Sequence, residues 1–289
     1  MSVKTTVCKT CDFFSNVPII GSILKPKPRV SVLRLSGVIA DSGPGRNSIC
    51  HHKYEKFIEA AFNEFDLKAV LLVINSPGGS PAQSALIGDH IRRLSEEKEV
   101  PVYAFVEDVA ASGGYWLACA ADEIYANETS IVGSIGVISA SFGMKDLIEK
   151  YGVERRIHTS GKNKSFMDPF KDEKPADVKR LKDIQWDLHE TFIGWVKDRR
   201  GEKIKGKDSE LFDGSFWTAK KALDLGLIDG FSAAKRFATA KFGDDIKFAE
   251  FGPEKRLVSS LFGAHLKNSI VEDAVETIET KAIWGRYGL

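Results

Sequence analysis

Three short glycine-rich segments follow apolar stretches of the chain, and their residue types suit the binding of negative charge. They are residues 75–80 (NSPGGS), 111–114 (ASGG) and 133–136 (GSIG). Glycine turns and helix N-termini leave backbone N–H groups free to bind a phosphate or the oxyanion of an acyl transfer. The sequence contains neither the phosphate-loop pattern GxxxxGK[ST] nor the dinucleotide pattern GxGxxG. Plain tight turns are the alternative for any one segment, and three in succession weaken that interpretation.

Acyl transfer at such a loop would also need a nucleophile and a base. Ser112 stands where a strand is predicted to turn into a helix, which exposes a hydroxyl beside free N–H groups, although serine is also a common helix N-cap. No histidine has a motif that marks it as a base, and we expect His90 and His189 at the surface of helices. Lysine is the other candidate, in residues 159–164 (TSGKNK) after a predicted strand at 153–157. By pattern alone, a solvated surface turn is the more ordinary interpretation of that basic loop.

The elements that must position these residues alternate between strand and helix, which favours a layered α/β fold. An uninterrupted apolar run at 69–74 predicts a strand buried on both faces of a parallel sheet. Further predicted strands cover residues 29–35, 102–106 and 123–126, and predicted helices cover 54–65, 81–93, 112–121, 178–196, 218–225 and 232–242. We therefore predict one domain over residues 29–250, preceded by a lead segment, 1–28, and followed by a helical arm, 251–289.

Composition excludes several classes of protein. The chain has 41 Lys and Arg against 40 Asp and Glu, a net charge of +1, so it lacks the basic excess that nucleic-acid binding requires. Its 43% hydrophobic residues are too many for a disordered chain. Four cysteines are too few for a disulfide framework and form no paired set of metal ligands, so we expect plain thiols, with no metal and no cofactor.

The sequence shows no transmembrane segment and no cleavable signal. The apolar run at residues 13–24 is shorter than the roughly 20 residues that a spanning helix needs, and it contains Pro18 and Gly21. We expect this run either to lie on a membrane surface or to cover an apolar patch of the protein. The predicted location is cytoplasmic or peripherally membrane-associated.

Four segments in this order resemble the signal peptide peptidase A family of serine proteases, over roughly residues 30–240. They are residues 75–80 (NSPGGS), 110–115 (AASGGY) with 120–122 (AAD), 133–137 (GSIGV) and 160–164 (SGKNK). The resemblance implies a Clp/crotonase-like spiral of ββα units with a helical C-terminal part. It also implies a peptidase that uses no cofactor and cleaves signal peptide remnants, other apolar peptides or membrane-associated proteins.

The resemblance also assigns roles to residues. The nucleophile falls on Ser112 and the general base on Lys164, so that Lys162 is expected at the surface. The serine that hydrogen-bonds the lysine falls on Ser134, and the oxyanion donors fall on the backbone N–H groups of Gly79 and Gly113. A lysine base must be neutral, and burial away from acids favours the neutral amine.

The single-unit form of that family implies a ring of subunits, in which the serine and the lysine reach one site from neighbouring chains. The family usually carries an N-terminal membrane anchor, which we do not find in this sequence. Two alternatives remain. A crotonase-type acyl-coenzyme A enzyme also holds an oxyanion with glycine N–H groups, but has no use for the lysine motif. A peptide-binding scaffold without turnover would retain the fold alone.

Overall fold

The computed structural model describes residues 27–41, 48–253 and 280–289. Residues 1–26, which include the apolar run at 13–24, and residues 254–279 of the predicted arm lie outside the described residues. The division into lead segment, domain and arm therefore stays a prediction.

A central, mainly parallel sheet organises the described chain. The strands are β1 (Arg29–Ser36), β2 (Val38–Ile39), β3 (Ser48–Ile49), β4 (Leu67–Ser76), β5 (Val102–Ala111), β6 (Glu123–Ala126), β7 (Ile131–Gly133), β8 (Phe216–Thr218), β9 (Gly230–Phe231) and β10 (Lys247–Phe251). The central sheet has the order β10-β1-β4-β5-β6-β9, and the end of β5 also pairs with β7, which pairs in antiparallel fashion with β8. Strands β2 and β3 form a separate parallel pair.

Helices cover both faces of this sheet. They are α1 (His51–Phe62), α2 (Pro81–Lys98), α3 (Gly113–Ala118), α4 (Lys145–Lys150), α5 (Pro175–Arg200), α6 (Asp208–Leu211), α7 (Ala219–Asp224) and α8 (Ala234–Phe242). The larger core packs side chains of α1, α2 and α3 against one face, and a smaller core packs α8 against the other. Residues 69–74 of β4 lie between the two cores and are all buried, as the apolar run predicts.

The mixed α/β fold with a central sheet is confirmed, whereas the Clp/crotonase-like spiral stays a prediction. The predicted strand at 153–157 is wrong: these residues have no regular secondary structure, because no neighbouring strand among the described residues pairs with them. Among residues 27–41, 48–253 and 280–289, no helix has the length and apolar character needed to cross a membrane.

The prediction that His90 lies at the surface is also wrong. His90 is only 6% exposed, and its Nδ1 lies 3.1 Å from Nε2 of His51 at the start of α1. Because α1 packs against α2, a histidine between charged sequence neighbours faces the other helix instead of solvent. Burial, with the nearby His51, lowers the pKa of His90. His189 is half-buried, and its Nε2 lies 3.1 Å from the carbonyl oxygen of Ile135.

Candidate active site

Ser112 occupies the sharp turn between β5 and α3. It is the N-cap of α3, with φ 52° and ψ −122°, a conformation that side-chain-bearing residues rarely adopt. Such backbone strain costs about 1–3 kcal/mol and is typical of functional sites. A serine on a strained strand-to-helix turn presents its hydroxyl outward in many hydrolases. The Ser112 hydroxyl has no hydrogen-bond partner among the described residues.

The loop after β4 approaches this turn closely because two positions have no Cβ. A Cβ built on Gly78, whose φ is +97°, would lie 2.8 Å from Cβ of Ser112 and 2.7 Å from the carbonyl oxygen of Ala111. A Cβ built on Gly113 would lie 2.4 Å from Oγ of the buried Ser84. The glycines of the first two segments therefore allow neighbouring backbone to lie close to Ser112.

Backbone N–H groups next to Ser112 are left without partners. In the loop after β4, the amides on either side of Gly79 are used, since Gly78 N donates to Ser76 Oγ at 3.2 Å and Ser80 N donates to Ile39 O at 2.7 Å. The N–H groups of Gly79 and Gly113 find no acceptor within the described part of the chain. Gly79 N lies 3.4 Å from the position that a Cβ on Gly113 would take, so the two amides border one small volume. Paired free amides of this kind can bind a carbonyl oxygen as it gains negative charge.

Ser134 lies beside Ser112 because β7 pairs with the end of β5. Ala111 is the partner of Gly133 in this register, and Ser112 N donates to Gly133 O at 2.8 Å. Ser134 is 8% exposed, also has a positive φ of 54°, and donates its N–H to Ser215 O at 2.7 Å. The structure thus brings together Ser112, Ser134, Gly79 and Gly113.

Lys164 makes no hydrogen bond to any of these four residues within one chain. It is exposed, in a turn where its N–H donates to Gly161 O at 3.2 Å, and its side chain makes no hydrogen bond to any described residue. Lys162 is exposed as well, as expected. A single copy of the chain therefore shows no hydrogen bond between the predicted base and the serine side of the site.

Lys164 lies in the segment of residues 138–174 (the 138–174 segment). This segment exposes large apolar side chains along its length and is held by polar contacts such as Lys145 Nζ to Asp172 Oδ2 at 2.6 Å and Met144 N to Pro169 O at 2.7 Å. The exposed apolar side chains are Ile138, Phe142, Leu147, Tyr151 and Val153. Exposed apolar area of this extent typically marks an interaction surface.

A buried ion pair ties the helical half of the chain to the sheet. Arg200, at the end of α5, donates to Asp229 Oδ2 at 2.7 Å, and Lys203 Nζ lies 2.8 Å from Asp229 Oδ1. Burial acts to raise the pKa of Asp229, but hydrogen bonds from these two cations outweigh it and hold that pKa below its usual range. Ile124 N donates to the same carboxylate at 2.7 Å, which connects β6 to this network.

Both described cysteines are buried free thiols, and burial raises the pKa of Cys119 to about 12, as expected for an unreactive core residue. Cys8 and Cys11 lie outside the described residues. In the described ranges, no group of three or more His, Cys, Asp or Glu side chains is placed to hold a metal ion.

One contact of this site had no signal in the sequence. The hydroxyl of Tyr287, in the last described segment, donates to Ser134 Oγ at 3.3 Å. Trp284 and Tyr287 are aromatic residues three positions apart, which suggests an apolar helix face but not what that face contacts.

An α/β sheet that ends in a strained serine turn beside two free amides is the arrangement of a serine hydrolase. Residues 95–241 match the model of peptidase family S49, and the chain belongs to that family. The resemblance to the signal peptide peptidase A family of serine proteases is therefore confirmed.

Curated relatives match the chain over different lengths, and two of the three described here carry protease or peptidase names. A Synechocystis sp. protein with a provisional protease name is 30% identical over 218 residues, 73% of this chain and 78% of that protein. An Enterococcus faecium protein, provisionally named signal peptide peptidase SppA, is 30% identical over 205 residues, 70% of this chain and 59% of that protein. A Brucella abortus protein named Na(+)/H(+) antiporter NhaA is 45% identical over 272 residues, 90% of this chain. The chain spans only 37% of the length of that protein.

Proposed function

We propose that the chain is a serine endopeptidase with a serine–lysine dyad, in which Ser112 is the nucleophile and Lys164 the general base. Ser134 orients the lysine amine, and the N–H groups of Gly79 and Gly113 bind the oxyanion. The observation that carries the proposal is the pair of free amides beside a serine held at a positive φ. Family membership supports the same chemistry.

The reaction follows from these roles. The neutral Lys164 amine takes the Ser112 proton as Oγ bonds to the peptide carbonyl carbon, and the carbonyl oxygen becomes an oxyanion held by the two amides. When the tetrahedral intermediate collapses, the carbon–nitrogen bond breaks and the lysine returns the proton to the leaving amine. Water, deprotonated by the same amine, then attacks the acyl-enzyme and releases the second product.

We propose further that Lys164 reaches Ser112 in an assembly of several copies, in the form of a ring. Two observations support this part of the proposal. Lys164 has no hydrogen-bond partner within the described residues of its own chain, and the 138–174 segment exposes apolar side chains that a neighbouring copy would cover. A ring would also bury the lysine amine, which favours its neutral form. The Clp/crotonase-like spiral is part of this proposal, since such units present their loops to neighbours.

The substrates we propose are apolar peptides, such as signal peptide remnants, and membrane-associated proteins. The name of the Enterococcus faecium relative supports this class. Peripheral membrane contact through residues 13–24 would bring the enzyme to such substrates.

Substitution of the proposed dyad tests the function. Ser112→Ala and Lys164→Ala should each lower kcat/KM on a short apolar reporter peptide by at least about a thousandfold, because each removes a group that takes part in bond making. Lys162→Ala is the matched control, since it removes an equally exposed lysine two positions away, and it should leave turnover unchanged. Full activity in Lys164→Ala would refute the serine–lysine dyad. Turnover of an acyl-coenzyme A by the wild type, with no peptide cleavage, would refute the peptidase function and favour a crotonase-type enzyme.

Mixing the two inactive variants tests the shared site. If serine and lysine come from different copies, co-folded mixtures of Ser112→Ala and Lys164→Ala subunits should regain a measurable fraction of wild-type activity. No recovery, in mixtures shown by native mass spectrometry to contain both subunits, would place each site within one chain.

A further inference from the structure

Tyr287 packs against β5 and β8, beside Ser134, which follows β7. It is 7% exposed, its ring meets that of Phe216 edge-on with centroids 5.1 Å apart, and it belongs to a small apolar cluster with Val109 and Ala111 of β5. Its N–H donates to Trp284 O at 2.9 Å. The position of the ring thus depends on packing and backbone bonds, and the hydroxyl is not needed to hold it there.

The Tyr287 hydroxyl is the hydrogen-bond partner of the Ser134 hydroxyl among the described residues. Tyr287 donates to Ser134 Oγ at 3.3 Å, and the serine oxygen makes no other hydrogen bond among the described residues. A hydroxyl has one hydrogen to donate and two lone pairs to accept with. With one lone pair occupied by the tyrosine, the hydrogen of Ser134 is left for an acceptor on another side. The phenol is the stronger acid of the two hydroxyls, so it takes the donor role in this pair.

We propose that Tyr287 is a positioning residue for the dyad, which holds Ser134 as a hydrogen-bond donor toward the Lys164 amine. This inference rests on the proposed function and adds to it the relay Tyr287 → Ser134 → Lys164. A neutral amine accepts a hydrogen bond, whereas an ammonium group only donates. A donor held toward the lysine nitrogen therefore favours the form of the base that catalysis requires.

The relay predicts a pH effect that packing alone would not produce. Tyr287→Phe removes the hydroxyl and retains the ring against Phe216. Without the tyrosine donor, Ser134 can turn its lone pair toward the lysine and stabilise the ammonium form. We expect the midpoint of the acid limb of kcat/KM to move upward by roughly half to one pH unit, which is a loss of about three- to tenfold at pH values on that limb. Activity should approach that of the wild type at higher pH.

Two comparisons make the test specific. Tyr125→Phe is the matched control, because it deletes a hydroxyl that bonds Glu123 away from this site, and it should leave the profile in place. In a Ser134→Ala background, Tyr287→Phe should cause no further shift of the residual activity profile, because the tyrosine acts through Ser134.

The outcomes separate this inference from the proposed function. If the wild type needs Ser112 and Lys164 but Tyr287→Phe keeps the wild-type acid limb, with or without a uniform loss of rate, the relay is wrong and the dyad stands. Higher activity in Tyr287→Phe would also overturn it, since the tyrosine would then obstruct the serine. If cleavage by the wild type depends on neither dyad residue, the proposed function and the relay both fail.

Discussion

Replacing Ser112 by glycine should make the protein more stable while abolishing cleavage. Ser112 has φ 52° and ψ −122°, and a Cβ-bearing residue pays about 1–3 kcal/mol for such backbone strain. Glycine relieves that strain but gains conformational freedom in the unfolded chain, which costs about 0.5–1 kcal/mol. We therefore expect Ser112→Gly to gain about 1 kcal/mol in the free energy of unfolding, or about 2 °C in Tm.

The matched variant is Ser112→Ala, which removes the same hydroxyl but retains the Cβ and therefore the strain. Both variants should be inactive, and the comparison between them isolates the backbone term. Urea unfolding at one protein concentration, followed by circular dichroism, gives the two free energies. If Ser112→Gly proves equal to or less stable than Ser112→Ala, then the turn is not strained in solution, and strain is no argument for a functional serine here.

Two further predictions concern the glycine turn and the buried ion pair. Gly79→Ala should lower the free energy of unfolding by about 2–3 kcal/mol and remove activity, because its Cβ would lie 2.0 Å from the Ile39 carbonyl oxygen at a φ of +145°. Gly194→Ala is the control, since no atom lies within 4 Å of its Cβ, and it should retain stability and activity in the same unfolding and cleavage assays. An equal loss in the two variants would refute the steric argument. Asp229 has a lowered pKa in the folded protein, so its stabilising contribution is complete above about pH 4 and is lost as pH falls through the folded pKa. Asp229→Ala should therefore lower the free energy of unfolding by about 3–5 kcal/mol at pH 7, since it leaves Arg200 buried without its partner, and by clearly less at pH 3. An equal loss at both pH values, measured by urea unfolding, would contradict this prediction.

Much of the central sheet could be predicted from the sequence because its strands are marked by local pattern. The apolar run at 69–74 gives β4, and Ser80 followed by Pro81 gives the start of α2. The strand predicted at 123–126 matches β6 in both bounds. The position of Ser112 at a strand-to-helix turn was equally local, and the structure places it there.

What could not be predicted depends on contacts between distant segments. Charged sequence neighbours on a helix face favour a surface position for His90, and nothing local reveals that α1 packs over that face of α2. Residues 153–157 (VERRI) are predicted as a strand, but a strand needs a neighbour, and the described residues supply none there. The contact between Tyr287 and Ser134 joins residues 153 positions apart.

Trapping of the nucleophile tests the central claim most directly. A fluorophosphonate forms a phosphorus–oxygen bond with an activated serine and expels fluoride, so it labels a serine only when a base and an oxyanion site act on it. Peptide mapping by mass spectrometry of the labelled wild-type protein should locate the adduct on Ser112, and Lys164→Ala should label far more slowly than Lys162→Ala. Adduct on another serine, or equal labelling of Ser112 in the two lysine variants, would contradict the account.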